Sequence, residues 1–241
     1  MTRKLSAIFF DVDDTLYSTT EFAKIARENA IDNMIKTGLN ISLENGMKEL
    51  LEVISEFPKN YELHFNKLLS RLGENTYKGI NPNLIVAAGI IGYHETKHNK
   101  LKIHSDVEEV VKKLVTTKIP MGIITAGLTI KQAEKIIRLG FNKYIDPSLV
   151  FITDECGYSK TNPKFYQLAI DRLNVPANEI LYIGDSPESD VDPSKAVGMI
   201  SVLIKRGGKY SNATSKVPPD FTINDFYDLE KILKSEFSLK I

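Results

Sequence analysis

Buried strands alternate with amphipathic helices along much of the chain. Uninterrupted runs of bulky apolar residues are typical of parallel strands that are covered on both faces. Such runs predict strands at residues 5–10, 119–125, 149–153, 179–184 and 199–204. Apolar positions with helical periodicity lie between them, as at 106–117 and 129–139. This alternation predicts an α/β fold with a parallel sheet and right-handed helical crossovers.

The predicted helix at 129–139 has its own apolar pattern. Ile130, Ala133, Ile136 and Ile137 recur on one side of it, and Gly140 is placed to end it. We therefore expect that side to be buried against the sheet.

Residues 17–100 break the alternation of strands and helices. They contain no convincing buried strand, and they show helical patterns at 18–36, 42–57, 61–72 and 82–98. So many helical residues after the first strand are too long for a crossover connection. The sequence therefore predicts an all-helical domain at 17–100, inserted into a core domain formed by residues 1–16 and 101–241.

Composition excludes several classes of protein. The 241 residues include 31 Lys and Arg against 31 Asp and Glu, so the formal net charge is zero and argues against a nucleic-acid partner. A hydrophobic content of 42% argues against a disordered chain. The single cysteine, Cys156, suits a reducing compartment, and no export signal or spanning segment is visible. We expect a cytoplasmic protein without a membrane partner.

Chemically active side chains follow four of the predicted strands. They are Asp11 and Asp13, Thr125, Lys160, and Asp185 with Asp190. Because ligands bind at the carboxyl ends of parallel strands, we expect these side chains at one edge of the sheet. Clustered carboxylates repel one another and call for a cation, and oxygen ligands without His or Cys favour Mg²⁺ over Zn²⁺.

The order of these motifs resembles that of the haloacid dehalogenase superfamily of hydrolases. The matching segments are Asp11-Val12-Asp13-Asp14-Thr15, the strand that ends at Thr125, Lys160-Thr161-Asn162-Pro163, and Gly184-Asp185 followed by Asp190. Thr161 stands where the family usually has proline, and Asp192 is a second acidic candidate near the metal. Lys164 competes with Lys160 for the third motif, although Lys160 fits the spacing to Pro163 better.

The resemblance implies a fold and a mechanism. The fold is a Rossmann-like core with a helical cap domain of the C1 type, as in subfamily I. Asp11 is the implied nucleophile, which forms an aspartyl-phosphate, and Asp13 is the implied general acid and base. Thr125, Lys160 and the main-chain N–H near Ala126 would hold the phosphate. Asp11, the Asp13 carbonyl and Asp185 would hold Mg²⁺, and Asp190 would act through water or orient Lys160.

Asp13 favours a phosphatase over a dehalogenase, because an alkoxide leaving group needs a proton and a halide does not. The expected substrate is a small phosphorylated metabolite. A sugar-phosphate mutase remains an alternative because it uses the same aspartyl-phosphate, and a haloacid dehalogenase is a further one. A receiver-like phosphorylation switch and a catalytically silent binding protein are the non-enzymatic alternatives.

Overall fold

The computed structural model describes residues 3–58, 61–207, 210 and 212–241. The chain divides into two compact units, one formed by Met1–Thr20 with Lys102–Ile241 and the other by Glu21–Leu101. Among the described residues, the sheet lies in the first unit. No helix of the described residues is long and apolar enough to cross a membrane.

A parallel sheet of six strands forms the centre of the first unit, counted over the described residues. The strands are β1 (Ala7–Phe10), β2 (Met121–Thr125), β3 (Val150–Ile152), β4 (Ile180–Gly184), β5 (Ile200–Ile204) and β6 (Phe221–Ile223). Their order across the sheet is β3-β2-β1-β4-β5-β6, and every neighbouring pair is parallel. The predicted α/β fold with a parallel sheet is therefore confirmed.

The edge strand β6 was not predicted. It is three residues long, and Thr222 is exposed while Ile223 is buried. It therefore lacks the continuous apolar run that marks the central strands, whose residues in β1, β2, β4 and β5 are all buried.

Both units contain helices, counted over the described residues. In chain order they are α1 (Thr19–Lys36), α2 (Leu43–Glu56), α3 (His64–Leu72), α4 (Pro82–Lys100), α5 (Ser105–Thr116), α6 (Thr129–Arg138), α7 (Thr153–Cys156), α8 (Pro163–Leu173), α9 (Asp192–Ala196) and α10 (Phe226–Phe237). A π-helical turn at Pro187–Val191 precedes α9. Short 3₁₀ turns occur at Glu74–Tyr77, Phe141–Lys143 and Ala177–Glu179.

The buried side of α6 differs from the predicted one. Ile130 is 78% exposed and Ile137 is 65% exposed, whereas Gln132 and Ile136 are buried. The expectation that Ile130 and Ile137 face the sheet is therefore wrong. Gln132 takes a buried position because its amide finds polar partners there, which are described below.

The second unit has its own apolar core. Ile31 and Met34 of α1, Leu50 of α2, Leu68 of α3 and Ile85 of α4 are buried in one cluster. Side chains from these helices thus enclose a separate apolar interior, as expected for a folding unit.

The segments on either side of α1–α4 meet within the first unit. The N–H of His104 donates a hydrogen bond of 2.9 Å to the carbonyl of Leu16. The chain therefore leaves and rejoins the sheet-containing unit at neighbouring points.

Candidate active site

The central strands deliver the predicted side chains to one edge of the sheet. Phe10 of β1 pairs with Ile123 of β2 and with Ile183 of β4. Because these residues lie at one level, Asp11, Thr125 and Asp185 all fall within two residues beyond it. Asp11 is fixed there by its N–H, which donates a 2.9 Å hydrogen bond to the carbonyl of Ile183.

Lys160 joins two of the carboxylates. Its Nζ lies 2.5 Å from Oδ1 of Asp11 and 2.6 Å from Oδ1 of Asp190. All three residues are buried, at 7%, 4% and 1% exposure for Lys160, Asp11 and Asp190. Lys164 is exposed, so the structure brings Lys160 rather than Lys164 to the cluster.

Burial and crowding shift the ionisation of these groups. Burial, with the charges of Asp190 and Asp13, raises the pKa of Asp11 to about 7, although Lys160 opposes this change. Burial, with the charges of Asp11 and Asp190, raises the pKa of Asp185 to about 8. Burial alone would lower the pKa of Lys160, but Asp11 and Asp190 outweigh it and raise that pKa. The cluster thus holds more negative charge than Lys160 neutralises.

This cluster can hold a cation. Asp11, Asp185 and Asp190 each offer a carboxylate oxygen, and these atoms all lie within 4.8 Å of one another. The donor set is oxygen alone and strongly acidic, which fits a hard divalent ion. Asp192 is not in this group, and its Oδ1 accepts hydrogen bonds from the N–H groups of Lys216 and Val217.

Asp190 is held in place by several donors. The Tyr182 hydroxyl lies 2.7 Å from its Oδ1, and the Ser186 N–H donates to its Oδ2 at 2.8 Å. Tyr166 donates to the carbonyl of Ser189 at 2.6 Å, which fixes the π-helical turn next to Asp190. Sequence reasoning missed both tyrosines because aromatic residues in apolar runs are typical of core packing.

The Asp13 carboxylate contacts a different set of side chains. Lys135 lies 2.7 Å from Oδ1 and 2.8 Å from Oδ2, Gln132 donates to Oδ2 at 3.0 Å, and Tyr17 donates to Oδ1 at 2.5 Å. Burial raises the pKa of Asp13, but the charge of Lys135 and the hydrogen bonds of these three residues outweigh burial and lower it. In the free protein these contacts therefore favour the carboxylate form of Asp13.

Thr125 presents an unpaired hydroxyl. The residue is fully buried, and its Oγ1 has no hydrogen-bond partner within the described part of the chain. A buried hydroxyl without a partner costs free energy, so it is suited to bind a ligand oxygen.

The loop after Thr125 is tied to its surroundings. The carbonyl of the exposed Ala126 accepts a 2.7 Å hydrogen bond from Gln132, and the Gly127 N–H donates to Thr153 Oγ1 at 3.0 Å. The Thr129 N–H at the start of α6 donates to Asp154 Oδ2 at 3.0 Å. Asp154 therefore already occupies part of this helix N-terminus.

Comparison with known proteins identifies relatives along nearly the whole chain. The sequence model of the haloacid dehalogenase-like hydrolases matches residues 5–198. The glyceraldehyde 3-phosphate phosphatase of Methanocaldococcus jannaschii is 37% identical over 232 residues, which cover 96% of this chain and 98% of that protein. The protein of the same name from Pyrococcus furiosus is 38% identical over 236 residues, covering 97% and 95%.

A solved structure agrees with these sequence matches. The structure of a HAD phosphatase from Thermococcus onnurineus superimposes with a TM-score of 0.64 at 25% identity, covering 96% of this chain and 99% of that one. The resemblance inferred from the motifs is thereby confirmed. The chain belongs to the haloacid dehalogenase-like hydrolase family.

Proposed function

We propose that this chain hydrolyses a small phosphate monoester, with glyceraldehyde 3-phosphate as the first candidate, through an aspartyl-phosphate formed on Asp11. The observation that carries the proposal is the buried contact of Asp11 with Lys160 at the carboxyl edge of the sheet. The name of the archaeal relatives supports the choice of substrate, since their identity extends over nearly the full length of both chains.

The first half of the reaction transfers the phosphoryl group to Asp11. A carboxylate oxygen of Asp11 forms a bond to phosphorus while the bond from phosphorus to the substrate oxygen breaks. Lys160 and the Thr125 hydroxyl bind phosphoryl oxygens, and the main-chain N–H near Ala126 is a third donor. Asp13, once it carries a proton, gives that proton to the leaving alkoxide.

The second half regenerates Asp11. Asp13 accepts a proton from a water molecule as the water oxygen attacks phosphorus, and inorganic phosphate leaves. Asp13 is a carboxylate at this point because it has given its proton to the leaving oxygen.

The acidic cluster is the proposed site for Mg²⁺. Asp11, Asp185 and the main-chain carbonyl of Asp13 would hold the ion, and Asp190 would contribute through water or by orienting Lys160. When bound, Mg²⁺ supplies positive charge that offsets the repulsion between the phosphoryl oxygens and the carboxylates.

The unit Glu21–Leu101 is the proposed cap domain. It has its own apolar core and follows the first strand, where helical caps of this family are inserted. A cap that closes over the site would exclude water and contact the leaving group, so we expect it to set substrate choice.

The test is an assay of phosphate release with Mg²⁺ present. Glyceraldehyde 3-phosphate, p-nitrophenyl phosphate and glucose 1-phosphate are compared, and chloride release from 2-chloropropionate is measured in parallel. We expect phosphate from the triose phosphate, loss of activity with EDTA, and loss of roughly 10³-fold or more in Asp11→Asn. Asp146→Asn, which removes an exposed carboxylate, is the matched control.

Two further outcomes distinguish the alternatives. Conversion of glucose 1-phosphate to an isomer without free phosphate would support a mutase, and chloride release would support a dehalogenase.

Borohydride reduction of the trapped intermediate should convert residue 11 to homoserine. Full turnover by Asp11→Asn would contradict the mechanism.

A further inference from the structure

The helix α6 places two polar side chains one turn apart against Asp13. Gln132 and Lys135 have the i,i+3 spacing that brings side chains together on one side of a helix. Lys135 contacts both carboxylate oxygens of Asp13, at 2.7 and 2.8 Å, and Gln132 contacts Oδ2 at 3.0 Å. Both residues are more than a hundred positions from Asp13 in sequence, so the contact depends on the tertiary fold.

These contacts restrict rotation of the Asp13 side chain. Oδ1 is contacted by Tyr17 and Lys135, and Oδ2 by Gln132 and Lys135, and together these donors define the plane of the carboxylate. The Asp13 side chain is nevertheless 30% exposed, so it is held firmly and still open to a reacting molecule.

Gln132 also connects Asp13 to the loop after β2. The same amide nitrogen that donates to Asp13 lies 2.7 Å from the carbonyl of Ala126. Gly127 packs against this side chain so closely that a Cβ at Gly127 would lie 2.6 Å from the amide nitrogen of Gln132. The proposed proton donor and the proposed phosphate-binding loop are thereby fixed relative to each other.

We propose that Gln132 and Lys135 are positioning residues, which orient the Asp13 carboxylate for proton exchange with the leaving oxygen and with water. The inference rests on the proposed function, because it gives these two residues a part in the same reaction. An ion pair that served stability alone would not affect one class of ester more than another.

The experiment compares kcat/KM for two esters in Lys135→Met. The value of kcat/KM depends on the steps up to departure of the leaving group, so it does not depend on the rate at which the intermediate is hydrolysed. Glyceraldehyde 3-phosphate releases an alkoxide that needs a proton, whereas p-nitrophenyl phosphate releases a stable phenolate. We expect kcat/KM to fall about 10²-fold for the triose phosphate, the size of a lost proton transfer. For the aryl ester we expect a fall of less than about threefold, because its leaving group needs no proton.

Matched variants separate this role from loss of charge or folding. Lys131→Met removes the same charge from an exposed position of the same helix, and we expect the wild-type ratio between the two esters. Gln132→Met should lower kcat/KM for the triose phosphate relative to the aryl ester, as Lys135→Met does. Lys135→Arg should recover part of the kcat/KM for the triose phosphate that Lys135→Met loses. Gln132→Met provides the test on its own if Lys135→Met does not fold.

The outcomes are distinguishable. Equal losses on both esters in Lys135→Met and Gln132→Met, or no loss on either, would overturn the positioning role while wild-type activity upholds the proposed function. If the wild-type protein releases phosphate from neither ester, the positioning role and the proposed function are both overturned.

Discussion

The Tyr182 hydroxyl lies 2.7 Å from Oδ1 of Asp190, and both residues are buried. The same oxygen lies 2.6 Å from Lys160 Nζ, which in turn contacts Asp11. A tyrosine of β4 is thus linked to Asp11 through Asp190 and Lys160. Since each of these groups is almost fully buried, each contact is protected from competition by water.

Removing the Tyr182 hydroxyl should weaken both the fold and the reaction. We expect Tyr182→Phe to lower the free energy of unfolding by about 1.5–3 kcal/mol, the range for a hydrogen bond to a charged group. Asp190, which contacts Lys160, loses one of its hydrogen-bond donors, and we expect kcat to fall roughly tenfold. Tyr227→Phe removes a hydroxyl that bonds to Glu109 at an exposed position, and it should change the free energy of unfolding by less than about 0.5 kcal/mol. Urea unfolding and phosphate release measure the two effects, and equal behaviour of the two variants would contradict this prediction.

Gly127 should not tolerate a side chain. Its φ is +143°, a conformation that other residues rarely adopt, and a Cβ there would meet Gln132. We expect Gly127→Ala to lower activity at least tenfold, because Gln132 would be pushed from Asp13 and Ala126. Gly140 also has positive φ, at +67°, but a Cβ there has open space around it. Gly140→Ala should therefore cost about 1 kcal/mol of stability and leave the kinetics unchanged. A normal kcat in Gly127→Ala would disprove the steric argument.

Divalent cations should stabilise the protein. The carboxylates of Asp11, Asp185 and Asp190 lie close together and repel one another, and a bound cation relieves that repulsion. By mass action, Mg²⁺ at about a hundred times its Kd should add about 2.7 kcal/mol to the free energy of unfolding. Calorimetry should show a higher Tm with Mg²⁺ than with EDTA. Asp185→Asn should reduce the difference, while Asp146→Asn keeps it, and a Tm that does not respond to Mg²⁺ in the wild type would count against the site.

A buried ion pair outside the site should make stability depend on pH. Asp106 of α5 accepts hydrogen bonds from Arg206 and, at 2.8 Å, from the N–H of Phe226 at the start of α10. Burial alone would raise the pKa of Asp106, but these bonds and the charge of Arg206 lower it. The folded state thus favours the carboxylate more than the unfolded state does. The stabilisation is complete above the unfolded pKa of about 4 and is lost as the pH falls through the lower folded value.

Substitution of Asp106 should reveal this dependence. At neutral pH, Asp106→Asn should lower the free energy of unfolding by about 1–3 kcal/mol, because Arg206 loses its charged partner. The difference from the wild type should shrink as the pH falls below about 4. Urea titrations at several pH values measure it, with the exposed Glu62→Gln as the control that keeps the wild-type profile. A difference that stays constant down to pH 3 would refute the assignment.

The strands and their terminal side chains could be predicted because both follow from local sequence. A strand buried on both faces requires a continuous apolar run, and the run in β1 stops at Asp11. Parallel pairing then places Asp11, Thr125 and Asp185 at one edge whatever the connecting segments do. Lys160 was expected at the same edge as Asp11, and in the structure its Nζ lies 2.5 Å from Oδ1 of Asp11.

The partners of Asp13 could not be predicted from the sequence pattern. Apolar periodicity pointed to Ile130 and Ile137 as the buried side of α6, but both are exposed. Gln132 is buried instead, because its amide bonds to Asp13 and Ala126 across the fold. A pattern of hydrophobicity assigns a polar residue to the surface, and only a tertiary partner reverses that assignment. The burial of Gln132, one turn before Lys135, is visible only in the structure, and it is what identifies the two residues as partners of Asp13.

The hydrogen bond between the His104 N–H and the Leu16 carbonyl marks the two positions at which the segment between them could be exchanged by recombination. Because the two ends of the intervening segment meet, that segment can be lengthened, shortened or replaced with little extra entropy of loop closure. A short turn from Leu16 to His104 would join β1 directly to α5 and keep Asp11, Lys160 and Asp185 in one chain. Recombination at this junction would exchange the inserted segment without altering a strand of the sheet.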